Sequence, residues 1–360
     1  MELAVNLAYR DAAAIASAAE DLGYAVAVAP EGYRSDAASL LGLVAGRTQR
    51  IALLSGVMQI PARAPGMAAL TAATLDAMSG GRFRLGLGVS NADVSEGWYG
   101  VPFDKPLARA REYVDIVRAA LRGGPVRYEG RHFRLPPAGQ PAEPLQLLTQ
   151  PLRGDLPIYL AAVGAKNIQL AGEIADGWIG VFASPEGVEE SVRHLRAGAM
   201  RIRGTHDSDA ALPGESPPRP MPAGFDVMIS VPTSVEGDLD RAADPWRAYY
   251  AHFIGMGARE RNVYCALATR LGFGGEIDKV HGLARSGDRQ AAAAALPFGF
   301  IDRTALLGPV PRIAARIRDY AEAGATTLNI LLSPSLTDAG ERIAVLRAVA
   351  QALATCAHPR

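Results

Sequence analysis

The sequence predicts an α/β chain folded as a (β/α)8 TIM barrel with insertions, and three observations carry that prediction. Short apolar runs alternate with amphipathic helical stretches along the whole chain, in the rhythm of repeated βαβ units. No Gly-x-Gly-x-x-Gly fingerprint follows the first run, which argues against an open dinucleotide-binding sheet. The 360 residues are 49% hydrophobic and 21% charged, enough to bury one large core and to exclude global disorder. One domain is expected over 1–360, with insertions near 89–106, 123–156, 201–223 and 244–300.

The first strand is Leu3-Ala4-Val5-Asn6-Leu7, followed by a helix from Asp11 with Ile15, Ala18, Ala19 and Leu22 inward and Gly23 at its end. The second strand, 24–29, runs out at Pro30-Glu31, and a helix over 36–46 follows. Residues 50–91 show the repeating unit complete. An apolar strand (51–57) suits burial on both faces, and a linker (58–64) leads to a helix opening at Pro65. That helix sets Met67, Leu70, Thr74 and Met78 on one face, and Ser79-Gly80-Gly81 stops it before the strand 82–88. The polar and aromatic stretch 91–105 is long for a plain connection, which suggests a functional loop. Leu107, Ala110, Val114, Val117 and Leu121 then mark an amphipathic helix. A hairpin is expected at 126–128 and 132–135, the fifth strand at 157–162, a helix at 164–174, the sixth strand at 176–182 and a helix at 185–200. Residues 203–223, rich in proline, form an exposed insertion. The seventh strand follows at 225–231, mostly helical sequence at 244–295, a helix from Gly308-Pro309, the eighth strand at 326–332 and a last helix at 336–354.

Lys and Arg number 37, as do Asp and Glu, so nothing favours nucleic acid or an anionic membrane as partner. No apolar run is long enough to span a bilayer, and Met1-Glu2-Leu3 opens no signal-peptide pattern, so a cytoplasmic protein is expected. Cys265 and Cys356 lack metal-type spacing and read as free, buried thiols.

In such a barrel chemistry sits at the C-terminal strand ends. That rule nominates Glu31 to Tyr33, Ser55 to Gln59, Gly88 to Asn91, Ala161 to Asn167 and Ile179 to Phe182. Gly56 would let a backbone approach a flat ligand closely, or mark a buried strand end. Ala162-Val163-Gly164-Ala165-Lys166 joins a strand end to a helix start with free N–H groups, an anion site or an ordinary loop with a surface lysine. Gly308-Pro309 before the next-to-last helix is the rival phosphate site, though it reads more simply as a capped helix start. Glu31, Tyr33 and Asp36 carry acid–base groups, each more commonly solvated. The six histidines are scattered without ligand spacing, and no nucleophile elbow or Walker loop occurs, so no metal is expected. What remains is a barrel whose chemistry an organic cofactor would supply.

The run Ala72-Ala73-Thr74-Leu75-Asp76-Ala77-Met78-Ser79-Gly80-Gly81-Arg82-Phe83, followed by Leu85-Gly86-Leu87-Gly88, closely resembles the luciferase-like monooxygenase superfamily. So does Ala171-Gly172-Glu173-Ile174-Ala175-Asp176-Gly177. More narrowly, Glu96-Gly97-Trp98-Tyr99-Gly100-Val101-Pro102-Phe103, Ile254-Gly255-Met256-Gly257 and Ala305-Leu306-Leu307-Gly308-Pro309 resemble the branch of reductases that depend on coenzyme F420.

The resemblance implies a non-proline cis peptide at Gly56-Val57 backing the deazaflavin ring, with Ser55, Met58 and Gln59 beside it. Gly88, Val89 and Ser90 would line the ribityl chain. Ala162, Val163, Gly164, Ala165 and Lys166 would hold the phosphate, and Arg63 would meet the acidic tail. Glu31 or Tyr33 would donate a proton, with Asn91 shaping the pocket, and Arg34, Trp98 and Ile179 are the candidates on the substrate side. Where relatives commonly have Glu-Ala-Tyr-Gly, this chain has Glu31-Gly32-Tyr33-Arg34, which leaves substrate identity open. The implied reaction is hydride transfer from reduced F420 to an activated C=C or C=N bond, or the reverse oxidation of an alcohol. Its substrate would be a small molecule or natural product, including a dehydroamino-acid peptide. A homodimer is the family's usual state. The rivals are an FMN-dependent monooxygenase on the same barrel and a non-catalytic barrel.

Overall fold

The computed structural model describes residues 1–32, 35–139, 142–149, 151–204 and 223–356. Eight parallel strands form a ring: β1 (Glu2–Asn6), β2 (Val26–Ala29), β3 (Ala52–Ser55), β4 (Phe83–Gly88), β5 (Ile158–Ala161), β6 (Gly177–Val181), β7 (Asp226–Ser234) and β8 (Thr327–Leu332). Each pairs with the next, and β8 returns to β1 with Leu328 opposite Leu3. All four residues of β2 and all nine of β7 are buried, as strands covered on both faces require. Helices cover the outside: α1 (Ala12–Asp21), α2 (Ala37–Ala45), α3 (Pro65–Met78), α4 (Pro106–Leu121), α5 (Ala165–Ile174), α6 (Pro185–Gly204), α7 (Val310–Glu322) and α8 (Ala339–Cys356). Asp36 caps α2, its carboxylate accepting from the Ser39 N–H at 2.7 Å. The expected hairpin forms from Tyr128–Glu129 and Arg134–Leu135. The proline-rich insertion lies almost wholly outside the described residues.

Two expectations change, and a third needs an orientation added. The stretch 91–105 is not all loop, since Ala92–Gly97 is a short helix. Cys356 is only partly buried, whereas Cys265 is fully buried. In α3, Met67, Leu70, Thr74 and Met78 do share a face, but it points to solvent. The buried face is instead Ala68, Ala69, Ala72 and Ala73, whose small side chains let the helix lie close to the strands.

Inside the ring, Ala4, Val26, Val28, Leu54, Tyr159, Ile179 and Met228 pack together. Beneath them a polar plug closes the N-terminal end. Asp226 accepts from the Tyr159 hydroxyl at 3.1 Å and from Thr327 at 2.8 Å, and Arg84 donates to Tyr159 at 3.0 Å. Burial, and then the Asp226 charge, push the Tyr159 hydroxyl far above its ordinary pKa, so it stays a donor. With that end sealed, a ligand has one way in, from the C-terminal mouth.

Between β7 and β8 come the helices Leu239–Ile254, Val263–Arg270, Gly274–Arg285, Arg289–Ala294 and Phe298–Arg303. They build a core of their own around Trp246, Tyr250, Ile277, Val280 and Phe300. Phe182, just past β6 with φ 52°, inserts its ring 4.6 Å from that of Tyr250 and 5.3 Å from that of Phe253. A bulky residue rarely adopts that backbone region, and this packing holds it there. Leu307 and Leu331 join the same cluster, so the insertion walls the mouth beside β6 and β8.

Candidate active site

The mouth is shaped first by the end of β3. The Gly56–Val57 peptide bond is cis, and Met58–Gln59 then resumes pairing with β4. Three glycines make room for this turn. A Cβ on Gly56 would stand 2.2 Å from Val28 Cγ1, one on Gly88 2.6 Å from Val57 Cγ2, and one on Gly86 1.9 Å from the Ser55 carbonyl oxygen. Side chains there would drive the bulge off β2 or β4. Val57, Ala161 and Val28 are joined to the Ile179 cluster below, so the mouth has an apolar floor suited to a flat ring. Ser55 is not part of that surface. Its hydroxyl, fully buried, accepts from the Gly86 N–H at 2.8 Å and donates to the Gly86 carbonyl at 2.9 Å, bridging β3 and β4 where the bulge interrupts them.

A polar chain ties three strand ends together. Glu31 receives Arg63 through two bonds of 3.1 and 2.8 Å, and also the N–H groups of Gln59 at 3.1 Å and Ala37 at 3.4 Å. Gln59 donates to the Glu31 carbonyl at 3.3 Å and accepts from Ser90 at 2.8 Å. Arg63 also reaches Asp36 at 3.3 Å, and its carbonyl accepts from Tyr113 at 3.1 Å. Burial raises the Asp36 pKa, but the Ser39 bonds and Arg63 outweigh it and the net shift is downward.

This geometry shows how two of the candidate side chains are engaged. The Glu31 side chain, only 4% exposed, is held by four N–H donors. Arg63 is bound to Glu31 and Asp36 rather than extended toward an acidic tail. Tyr33 and Arg34 lie outside the described residues. Asn91 caps Ala92–Gly97, its side-chain oxygen accepting from Val94 N–H at 3.1 Å. Ser90, with φ 66°, is held by its bond to Gln59, and Val89 packs against the main core. Trp98 is 66% exposed beyond the short helix, whereas Ile179 is 5% exposed in the floor. Tyr99 follows Trp98 just past the short helix. Burial, and then the nearby Glu31 charge, raise its pKa, so its hydroxyl stays protonated at neutral pH.

At the end of β5, α5 begins at Ala165 behind Gly164 with no side chain capping it, which leaves its positive end available to an anion. Ala165 and Lys166 are exposed, as an anion contact would need. Gly164 itself has an ordinary φ of −82° and nothing within 4 Å of its Cβ position, so no tight turn requires it. A cleft of about 490 Å³, open mouth included, adjoins this loop and is lined by Ala162, Val163, Ala165, Trp178, His194 and Arg270. Arg270 lies about a hundred residues away in the sequence and nothing local marked it. Among the described residues no group of three or more His, Cys, Asp or Glu side chains is placed to hold a metal, and no helix is long and apolar enough to cross a membrane.

Comparison with known proteins agrees with this picture. Residues 2–327 match the family model for luciferase-like monooxygenases. A Mycobacterium tuberculosis protein named as a coenzyme F420-dependent oxidoreductase is 36% identical over 344 residues, covering 91% of this chain and 94% of that one. The 5,10-methylenetetrahydromethanopterin reductase of Archaeoglobus fulgidus is 26% identical over 327 residues, covering 91% and 90%. In fold, the coenzyme F420-dependent tetrahydromethanopterin reductase of Methanopyrus kandleri superposes with a TM-score of 0.77 at 22% identity, covering 97% of both chains.

Proposed function

This chain belongs to the luciferase-like monooxygenase family, and from that premise we propose that it is a coenzyme F420-dependent oxidoreductase with its cofactor at the barrel mouth. When bound, the deazaflavin supplies a hydride carrier. The substrate we assign is a small molecule or natural product with an activated C=C or C=N bond, a dehydroamino-acid peptide included, and the working form is a homodimer. The observation that carries the reading is the floor cleared by Gly56, Gly86 and Gly88 around Val57, next to an uncapped helix start.

The chain's own residues have distinct tasks in this reading. Val57, Val28 and Ala161 support a flat ring from below and keep water off that face. Gly88, Val89, Ser90 and Gln59 line its side chain, fixed in place by the bonds from Glu31 to Gln59 and from Ser90 to Gln59. The start of α5 with Lys166, and Arg270 across the cleft, meet the phosphate. Trp98 and Asn91 border the substrate side. Protonated Tyr99, or Tyr33, delivers the proton that a reduction requires.

Fluorescence titration with F420, with FMN in parallel, tests the proposal. Binding of F420 and not FMN is expected. Binding of FMN alone, with oxygen uptake on reduction, would replace it with the monooxygenase reading, and binding of neither would leave a non-catalytic barrel.

A further inference from the structure

Four buried side-chain polar atoms have no hydrogen-bond partner among the described residues: Asp76 Oδ2, His132 Nε2, Arg316 Nε and Asn329 Oδ1. The first three belong to α3, the hairpin and α7, outside the ring, whereas Asn329 belongs to β8. Its side chain points inward, where Nδ2 donates at 3.0 Å to the hydroxyl of Ser230, its strand partner on β7. Ser230 shares a strand face with Met228 of the inner cluster. Asn329 is 2% and Ser230 6% exposed. The Ser230 hydroxyl has no acceptor for its own proton among the described residues, so the pair presents one unused acceptor and one unused donor. Turning the Asn329 amide over exchanges the roles, with Asn329 donating and Ser230 accepting, and leaves the same complement. The polar plug below does not engage it, since Thr327, on the same face of β8, gives its hydroxyl to Asp226 at 2.8 Å. An amide left unpaired in an apolar interior costs stability, which a ligand group bound there recovers.

We propose that Asn329 and Ser230 form the polar end of the substrate pocket and select a substrate that carries an amide, N–H beside C=O, next to its reducible double bond. The inference rests on the F420 reading above and deepens it. Position favours the substrate over the cofactor. In the closed ring, β7 stands across from β3 and β8 across from β4, the two strands that carry the Gly56–Val57 turn. A flat ring backed by that turn therefore turns its free face toward β7 and β8. Ser230 pairs with Val181 of β6, which lines the open cleft, so the pair lies at the foot of the way in. Asn6, two residues past the inward Ala4 on β1, is half-buried there, and its side chain also has no partner among the described residues. Around these groups the wall is apolar, with Ile179, Met228 and Leu331. An amide satisfies both members of the pair without charge. An ester or ketone supplies no N–H, and an ionised carboxylate would bury a charge beside a neutral pair.

Calorimetric titration of the protein loaded with oxidised F420 tests this, with cinnamamide as the probe and methyl cinnamate, which lacks the N–H, beside it. Oxidised cofactor has no hydride to give, so binding is read without turnover. The wild type is expected to bind the amide at least about fivefold more tightly than the ester. Asn329→Leu, close in shape, is expected to reduce that preference at least about threefold. Ser230→Ala, which removes only a hydroxyl, is expected to do the same and carries the test if the leucine variant does not fold. F420 affinity is expected to stay within about threefold of wild type in both, which separates a lost substrate contact from a disturbed barrel. A smaller amide preference in the F420-bound wild type, a preference kept by the folded variants, or a loss of F420 affinity in its place would each overturn the proposal. Failure of the wild type to bind F420 would bring down the cofactor reading as well, whereas F420 binding without amide preference brings down this inference alone.

Discussion

Replacing Arg63 by methionine keeps the aliphatic stem and removes the two bonds it gives to Glu31, whose side chain is 4% exposed. Breaking a buried ion pair on one side costs about 3–5 kcal/mol. The lower end applies, because Glu31 keeps the N–H groups of Gln59 and Ala37 and Arg63 is itself 16% exposed. For 360 residues the unfolding entropy is ~0.75 kcal/mol/K, so a loss of ~3 kcal/mol lowers Tm by about 4 °C. Adding Glu31→Gln removes the stranded charge, and the double variant should recover about half of that loss. Calorimetry of the four proteins measures the coupling. A shift below about 1 °C for Arg63→Met, or strict additivity in the double variant, would refute the anchor role of this pair.

Gly56→Ala is expected to weaken F420 binding at least about 100-fold, since a Cβ 2.2 Å from Val28 forces the turn to move, whereas Gly164→Ala, with open space around it, changes binding less than about threefold. Titration of both variants separates the floor from the anion loop. Arg270→Ala should cost about tenfold in F420 affinity and leave binding of the phosphate-free deazaflavin unchanged, if its charge faces the phosphate as the cleft implies. Glu20 accepts the N–H groups of Gln49, Arg50 and Ile51 at 3.0, 2.6 and 2.7 Å; burial works against the shift, but these bonds take its pKa below 4.5. Its folded value lies below its unfolded one, so its stabilisation is present above about pH 4.5 and is lost as pH falls through the folded value. Denaturation from pH 7 to 3 should therefore show a flatter acid limb for Glu20→Gln.

The strands were legible because an apolar run buried on both faces leaves a plain mark, and β1 to β8 fall within a few residues of their expected places. The helix α3 shows where that reading falters. Its bulky residues share a face, and bulk usually means core, but the strands were met by alanines. Only the close approach of helix to sheet reveals that choice. Ser55 and Glu31 mislead for a related reason. A hydroxyl or carboxylate at a strand end suggests chemistry, yet Ser55 is held by the Gly86 backbone and Glu31 by Arg63 and the N–H groups of Gln59 and Ala37, partners that the sequence does not place beside them. Gly56 and Gly88 could be marked from sequence because only small residues tolerate such contacts. Val28, against which Gly56 fits, left no local sign, and neither did Arg270.

The helices between β7 and β8 have a core separate from the one that holds the barrel together. Mutations in Tyr249, Phe253 or Tyr264 fall on packing that the barrel core does not share, apart from the seam at Phe182, Leu307 and Leu331. One wall of the mouth can therefore drift in shape over evolutionary time while the opposite side, with its glycine-cleared turn, stays constant. A scaffold divided in this way can take up new substrates without relearning how to hold its cofactor.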